Sequence, residues 1–349
     1  MGQRPRLADV AARAGVSTAS VSLVLRGAPG PADQTRRRVL DAAAALGYRA
    51  DRTASLLARR RRYLLGVMLD VRNPFHAELA EEIHVAADRS GYEVVLATLT
   101  RDRDEARAVE TLMDFRCEAL LLLGPDGPES GLSGYAAHAP VVVIGRRVRA
   151  PGVDVVRSAD EAGVAAALNH LIGLGHRRIA FIDGGRGAVA AARRRGYRAA
   201  MRHAGLPPEV LAGDHTEAGG TRAGRRLLAT GRGPAAPPGA GFPGAVLPSA
   251  VLASNDRCAV GLLDVCLRAG VAVPGEIAVA GYDDSTLARL AHIDLTSVNQ
   301  DAAEQARHAV AAAVSRLDAG RTRRSEVVVE PRLVVRGSTA PASRKGHPR

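Results

Sequence analysis

Cysteine is scarce: Cys117, Cys258 and Cys266 are the only three in 349 residues. They are odd in number, sit in apolar surroundings and lack metal-ligand spacing, so they read as reduced core residues rather than a disulfide framework. No apolar run is long enough to span a bilayer. Arg4 and Arg6 near the start are not followed by an apolar segment, so no secretory signal is read there. These absences predict a cytoplasmic protein with no membrane partner. Tryptophan is missing altogether, and Lys345 is the only lysine among 48 basic residues. Arginine is the better bidentate phosphate ligand, although a coding bias toward Arg, Ala and Gly explains the same excess more simply. Signatures of catalysis are missing too. Gly184-Gly-Arg-Gly187 fits neither a dinucleotide-binding fingerprint nor a P-loop. His176 reads as a helix-end residue, and no nucleophile–base pair is visible. The expectation is therefore no enzyme, no cofactor and no metal.

What the chain does have is concentrated at its start. Leu7, Val10, Ala11 and Ala14 recur at helical spacing. Gly15 can end that helix in the left-handed conformation, and Ser17 can cap the next one. In the second helix Val21, Val24 and Leu25 face inward, while Thr18, Ala19, Ser22 and Leu23 face elsewhere. Two short helices with small residues at the turn make a helix-turn-helix, whose second helix enters the DNA major groove; an ordinary helical hairpin is the alternative. A third helix over residues 33–47 offers Val39, Leu40, Ala43 and Leu46 to close a small core. Residues 1–62 hold thirteen arginines against four acids, a net +9 of the chain's +12. Charge concentrated on such a unit reads as a phosphate-contacting surface.

From residue 63 the pattern changes to short apolar strands alternating with helices: strands at 63–69, 92–97, 119–123 and 141–144, helices at 75–90 and 105–115. The alternation restarts with strands at 178–182, 250–253 and 277–280 and helices at 193–204 and 258–269. Such βαβ units imply parallel sheets, and two runs imply two lobes. The expected domains are 1–49 as the helix-turn-helix headpiece, 50–62 as a hinge, 63–338 as a two-lobed core, and 339–349 as a disordered polar tail. Residues 230–249 read as a Pro/Gly-rich loop.

The chain resembles the LacI/GalR family of bacterial transcriptional repressors along nearly its whole length. Leu7–Leu25 matches the family's helix-turn-helix, and Leu46–Ala58 its hinge. Asn73-Pro-Phe75, Leu174-Gly-His-Arg-Arg-Ile-Ala180, Ser254-Asn-Asp256, Gly281-Tyr-Asp-Asp284 and Leu333–Ser338 match later signatures in order. The resemblance implies an α/β fold with a periplasmic-binding-protein-like core whose chain crosses between lobes three times. It implies a homodimer on a palindromic double-stranded DNA operator, answering to a small-molecule effector, a carbohydrate in many members. Ser17, Thr18, Ala19, Ser22, Leu23 and Arg26 fall on DNA-contacting positions. Leu23 departs from a usual Arg, and Arg26 from a common Asn. Leu57 matches a leucine that wedges into the minor groove, and Ala54 the small residue beside it; a plain linker is the alternative there. Arg193, Asn255 and Asp283 fall on positions that hydrogen-bond the effector, and Phe75, just after the first strand, can provide a ring face to it. Gly145 departs from a frequent Asp, and Ala159-Asp160 from an Asp-Asn pair. His215 stands where sugar-binding members tend to carry a stacking Trp or Phe, which points to a smaller or differently polar ligand. Asp256 and Asp284 read equally well as loop or helix caps. A solute-binding transport protein, a purine-type sensor and an α/β enzyme are the competing readings.

Overall fold

The computed structural model describes residues 5–25, 29–48, 61–231 and 247–341. The chain divides into two compact units, Met1–Arg62 and Tyr63–Arg349. In the first, α1 (Leu7–Ala14) ends at Gly15 with φ 63°. The second helix, α2 (Thr18–Leu25), crosses α1 at 103°. Ser17 caps α2, its Oγ accepting from the Ser20 amide at 3.2 Å; the hydroxyl satisfies one of the amides a helix start leaves orphaned. The third helix, α3 (Asp33–Ala45), closes a core of Val10, Ala11, Ala14, Val21, Val24, Val39, Ala42 and Ala43. Leu40, expected in that core, is 49% exposed. Its place is taken by Ala42, because the inward stripe runs 39, 42, 43 and 46, and position 40 lies about 100° around the helix.

The second unit is doubly wound twice. It runs β1 (Leu64–Asp70), α4 (Pro74–Arg89), β2 (Glu93–Leu99), α5 (Glu105–Asp114), β3 (Ala119–Leu123), α6 (Glu129–Ala136), β4 (Val141–Ile144) and β5 (Val153–Ser158). It then enters a second lobe through α7 (Asp160–Gly173), β6 (Ile179–Ile182), α8 (Ala188–His203), β7 (Glu209–Leu211) and α9 (Glu217–Gly231). That lobe continues with β8 (Ala250–Ala253), α10 (Asp256–Ala269), β9 (Ala278–Asp283) and β10 (Thr296–Asn299). The chain returns to the first lobe for α11 (Ala302–Asp318) and β11 (Glu326–Val329), and finishes in the second with β12 (Arg332–Val334). Three crossings result, after β5, β10 and β11. The sheets are ordered β11-β5-β4-β3-β1-β2 and β12-β10-β9-β8-β6-β7. Every strand pair is parallel except β10–β12.

Parallel sheets buried on both faces read as continuous apolar runs, and β3, Ala-Leu-Leu-Leu-Leu, is buried throughout. Phe75, Leu79 and Ile83 of α4 and Ala306, Ala309 and Val310 of α11 cover one face of the first sheet. In the second lobe, α9 and α10 bury one face through Ala223, Leu227, Leu262 and Cys266. The opposite face is covered by α7 and α8 through Leu168, Leu171, Tyr197 and Met201. All three cysteines are free and buried. The polar tail is anchored at its start. Thr339 Oγ1 meets His170 Nε2 at 3.0 Å and Thr296 Oγ1 at 2.9 Å, and the Ala340 carbonyl accepts from His176 Nε2 at 3.0 Å. Most of the Pro/Gly-rich loop and the last eight residues lie outside the described residues. Among the described residues no single helix is long and apolar enough to cross a membrane.

Candidate nucleic-acid interface and effector cavity

In the headpiece, Ser17, Thr18 and Ala19 are exposed at the start of α2, and Ser22 and Leu23 are half-buried one turn on. Helix α2 carries no charge of its own, so its exposed start presents only hydroxyls and methyls. Positive charge comes instead from α3, where Arg37 and Arg38 are exposed. Arg38 Nη2 also donates to the Gly15 carbonyl at 3.3 Å, tying α3 to the turn between α1 and α2. Arg26, Ala54 and Leu57 lie outside the described residues.

In the core, one cavity of about 240 Å³ lies between the lobes, and Phe75, Arg193, His215, Asn255 and Asp283 all line it. Three of them sit at element ends. Asn73 caps α4, accepting from the Phe75 amide at 3.1 Å, with Pro74 opening the helix. Asn255 caps α10 through Oδ1, 3.0 Å from the Cys258 amide, and donates Nδ2 to the His215 carbonyl at 3.2 Å. Asp283 is the last residue of β9, held at φ 109°. Arg193 was expected to open its helix. It lies in the second turn instead, because α8 starts at Ala188.

Arg193 is the hub. Its Nε donates to Asp160 Oδ1 at 2.9 Å, and Nη1 donates to the Ser254 carbonyl at 2.6 Å and to Asp283 Oδ1 at 3.4 Å. Its guanidinium carbon stands 3.7 Å from the centre of the Tyr282 ring, a cation–π contact. Burial opposes the charge, but Asp160, Asp283 and Tyr282 raise the arginine's pKa. Gln300 Nε2 donates to Asp283 Oδ1 at 2.7 Å. Burial nonetheless pushes the Asp283 carboxyl upward against Arg193 and Gln300. On the cavity wall, burial lowers His76 and His215 to about 4, so both imidazoles are neutral at pH 7. His76 Nδ1 accepts from the Asp70 amide at 3.2 Å, which leaves Nε2 as the donor. The His215 ring occupies space that any side chain at Gly184 would fill: a Cβ there would stand 2.3 Å from Cε1. Gly145, at φ 101°, leaves the wall bare where family members often carry Asp.

Several lining residues escape the sequence reading: Asp70, His76, Asp126, Gln300 and Gln305. Asp70, Asp126 and Gln300 all sit at or just beyond the carboxyl end of a strand, the rule that singled out Asn255. Gln305 is fully buried on α11, donating to the Gln300 carbonyl at 2.8 Å with Oε1 unpartnered among the described residues. Asp256 and Asp284 do not line the cavity. Asp256 accepts from the Ser285 amide at 2.7 Å and from the Ser285 and Ser297 hydroxyls at 2.9 and 2.5 Å. Asp284 takes Asn299 Nδ2 at 2.8 Å and Arg336 Nη2 at 2.6 Å. Both are structural. His176 spends its ring on Ser249 Oγ at 2.9 Å and the Ala340 carbonyl at 3.0 Å, so it has no free base. Among the described residues no group of His, Cys, Asp and Glu could hold a metal ion.

Residues 6–51 match the family of bacterial regulatory proteins named for lacI, and residues 168–339 match a periplasmic binding protein-like domain. The transcriptional regulator CelR of Thermobifida fusca is 33% identical, covering 96% of this chain and 98% of its own. A LacI regulator structure from a Rhodococcus species is 41% identical over 80% of this chain and 99% of its own, with a TM-score of 0.74. The lac repressor dimer bound to operator and the anti-inducer ONPF is 26% identical over 97% and 100%, with a TM-score of 0.80. A CelR–cellobiose complex is 31% identical over 96% and 100%, with a TM-score of 0.69. Headpiece, doubly wound lobes and interlobe cavity thus occur together in a full-length match, and the chain belongs to the LacI/GalR family of bacterial transcriptional regulators.

Proposed function

We propose that the protein is a repressor that binds a palindromic operator as a homodimer and loses or gains that affinity when a small neutral sugar, or a sugar derivative, fills the interlobe cavity. One observation carries the reading. Five residues far apart in sequence, Phe75, Arg193, His215, Asn255 and Asp283, come from both lobes to line a single cavity. A guanidinium held between carboxylates, with amides, neutral imidazoles and one phenyl ring, offers donors and acceptors to hydroxyls. Arg193 already spends its charge on Asp160 and Asp283, so it does not call for an anionic ligand. The volume, about 240 Å³, lies below the ~300–1,000 Å³ of drug-sized sites and favours a ligand of monosaccharide size. The similarity to the cellobiose-bound CelR and to the operator-bound lac repressor dimer supports the class of ligand and the dimer.

In use, Thr18 and Ala19 would meet base edges and Arg37 and Arg38 phosphates, with two-fold symmetry of the dimer mirrored in the operator. Ligand binding changes how the lobes meet, and the coupling to DNA is reciprocal. The test begins with in vitro selection of an operator from random duplexes. A palindrome is expected. Operator affinity is then measured against a panel of neutral monosaccharides. At least one should shift it tenfold or more, and His215→Asn, which changes a lining ring and leaves the buried Arg193 ion pairs in place, should weaken the shift about tenfold while leaving affinity in the absence of sugar within a few-fold. No shift with any sugar would remove the sensor role; a selected site without symmetry would remove the dimer.

A further inference from the structure

A second cleft opens between the lobes beside the effector cavity, with a volume of about 420 Å³. Four arginines line it: Arg146, Arg147 and Arg157 from the first lobe and Arg195 from the second. Their charge is poorly matched by acids. Glu326 is shared by three guanidiniums, Arg147 at 3.5 Å, Arg157 at 3.0 Å and Arg324 at 3.4 Å. Asp160 is turned away to Arg193 at 2.9 Å, and Glu161 meets only Nε of Arg195, at 3.2 Å. Arg146 gives Nη2 to the Gly127 carbonyl at 2.6 Å, while its buried Nε has no partner among the described residues.

Two helix starts open onto the same cleft. The start of α7 carries Asp160 and Glu161 in its first turn, whereas α8, beginning after Gly187, has neither an acid nor a side-chain cap there, so the positive end of its dipole reaches the cleft. The wall between the charges is apolar, formed by Ala188, Ala191, Ala192 and Val328. Planar guanidiniums converging with helix amides suit the three oxygens of a phosphate monoester. The apolar wall leaves room for its organic body. We propose that this cleft binds a small phosphate ester, distinct from the neutral ligand of the first cavity. Because its arginines come from both lobes, such a ligand would bias the angle between them and so act as a co-regulator.

The test uses the full-length protein with no operator and no sugar, so its outcome is independent of the effector reading. Glycerol 3-phosphate and inorganic pyrophosphate are titrated calorimetrically, with glycerol as the neutral control. Saturable binding of the anions alone is expected. Arg147 and Arg195 are 63% and 64% exposed, so Arg147→Gln and Arg195→Gln should keep the wild-type melting temperature. Each should weaken binding about tenfold, the scale of one charge-assisted hydrogen bond, and Arg195→Lys should restore part of it. Absence of saturable binding overturns the proposal. So does equal binding by the wild type and the double variant, which would assign the anion to the basic headpiece.

Discussion

Arg193 keeps its charge at 4% exposure because two carboxylates, a carbonyl and the Tyr282 ring surround it. Removing one partner of such a set leaves an uncompensated buried charge, which costs more than the pair contributes. The imidazoles lining the same cavity solve the problem differently, by staying neutral. Burial holds His76 and His215 at about 4, against an ordinary 6.5. The unfolded chain therefore takes up protons first as pH falls. Their contribution to stability is complete above pH 6.5 and is lost as pH drops from 6.5 through 4. Asp256 and Asp283, whose carboxyls burial raises, act in the opposite sense, so the histidines show only in a difference. We expect the melting temperature of the wild type to fall more steeply between pH 7 and 4.5 than that of a His76→Asn, His215→Asn double variant. Parallel melting curves would place both rings in water-like surroundings.

Helices and strands differ in how openly the sequence declares them. Strands β3 and β4 are uninterrupted apolar runs, Ala-Leu-Leu-Leu-Leu and Val-Val-Val-Ile, and are found by inspection, as are α1 and α2 with Gly15 and Ser17 between them. Strands β5 and β10 are hidden by polar residues that are nevertheless buried: Asp154, Ser158, Thr296 and Ser297. Asp154 is tolerated there because Arg316 Nε at 2.7 Å, Arg321 Nη2 at 2.6 Å and the Ser325 amide at 2.7 Å satisfy it. Those partners lie over 160 residues away, beyond any local pattern. The start of α8 is hidden for another reason: Gly187 marks it with a φ of 106° and no capping side chain. Hence the sequence pattern begins this helix at Arg193, five residues after its actual start at Ala188. Where a cap is visible it can be tested. Ser17→Ala removes the hydroxyl that accepts from Ser20 and should cost the headpiece about 1 kcal/mol. Amide exchange in α2 should quicken about fivefold, with the core unaffected. Unchanged exchange would mean that solvent caps the helix equally well.

The core is arranged so that no single segment owns the cavity: three chain crossings put strands, helices and loops of both lobes at its rim. Any ligand touching Phe75 on one side and Asp283 on the other is therefore sensitive to the angle between the lobes. Direct contacts already bridge them. Glu78 of α4 accepts from Arg289 Nη2 at 2.7 Å and from the Thr286 amide, both in the second lobe. Such a bridge favours the lobe arrangement in which it forms, and a ligand shifts the balance only through contacts that differ between arrangements. The pair is partly exposed, 42% for Arg289 and 21% for Glu78, so its worth is at most about 1 kcal/mol. Glu78→Gln should then change the factor by which sugar and operator affect each other by no more than about fivefold, equally in both directions. Affinity for non-specific duplex, which depends on headpiece charge, should stay the same. Measuring sugar affinity with and without operator, and operator affinity with and without sugar, closes the cycle. A coupling factor identical to the wild type would show that Glu78 bonds Arg289 equally in both lobe arrangements, leaving the differential contacts to the residues that line the cavity.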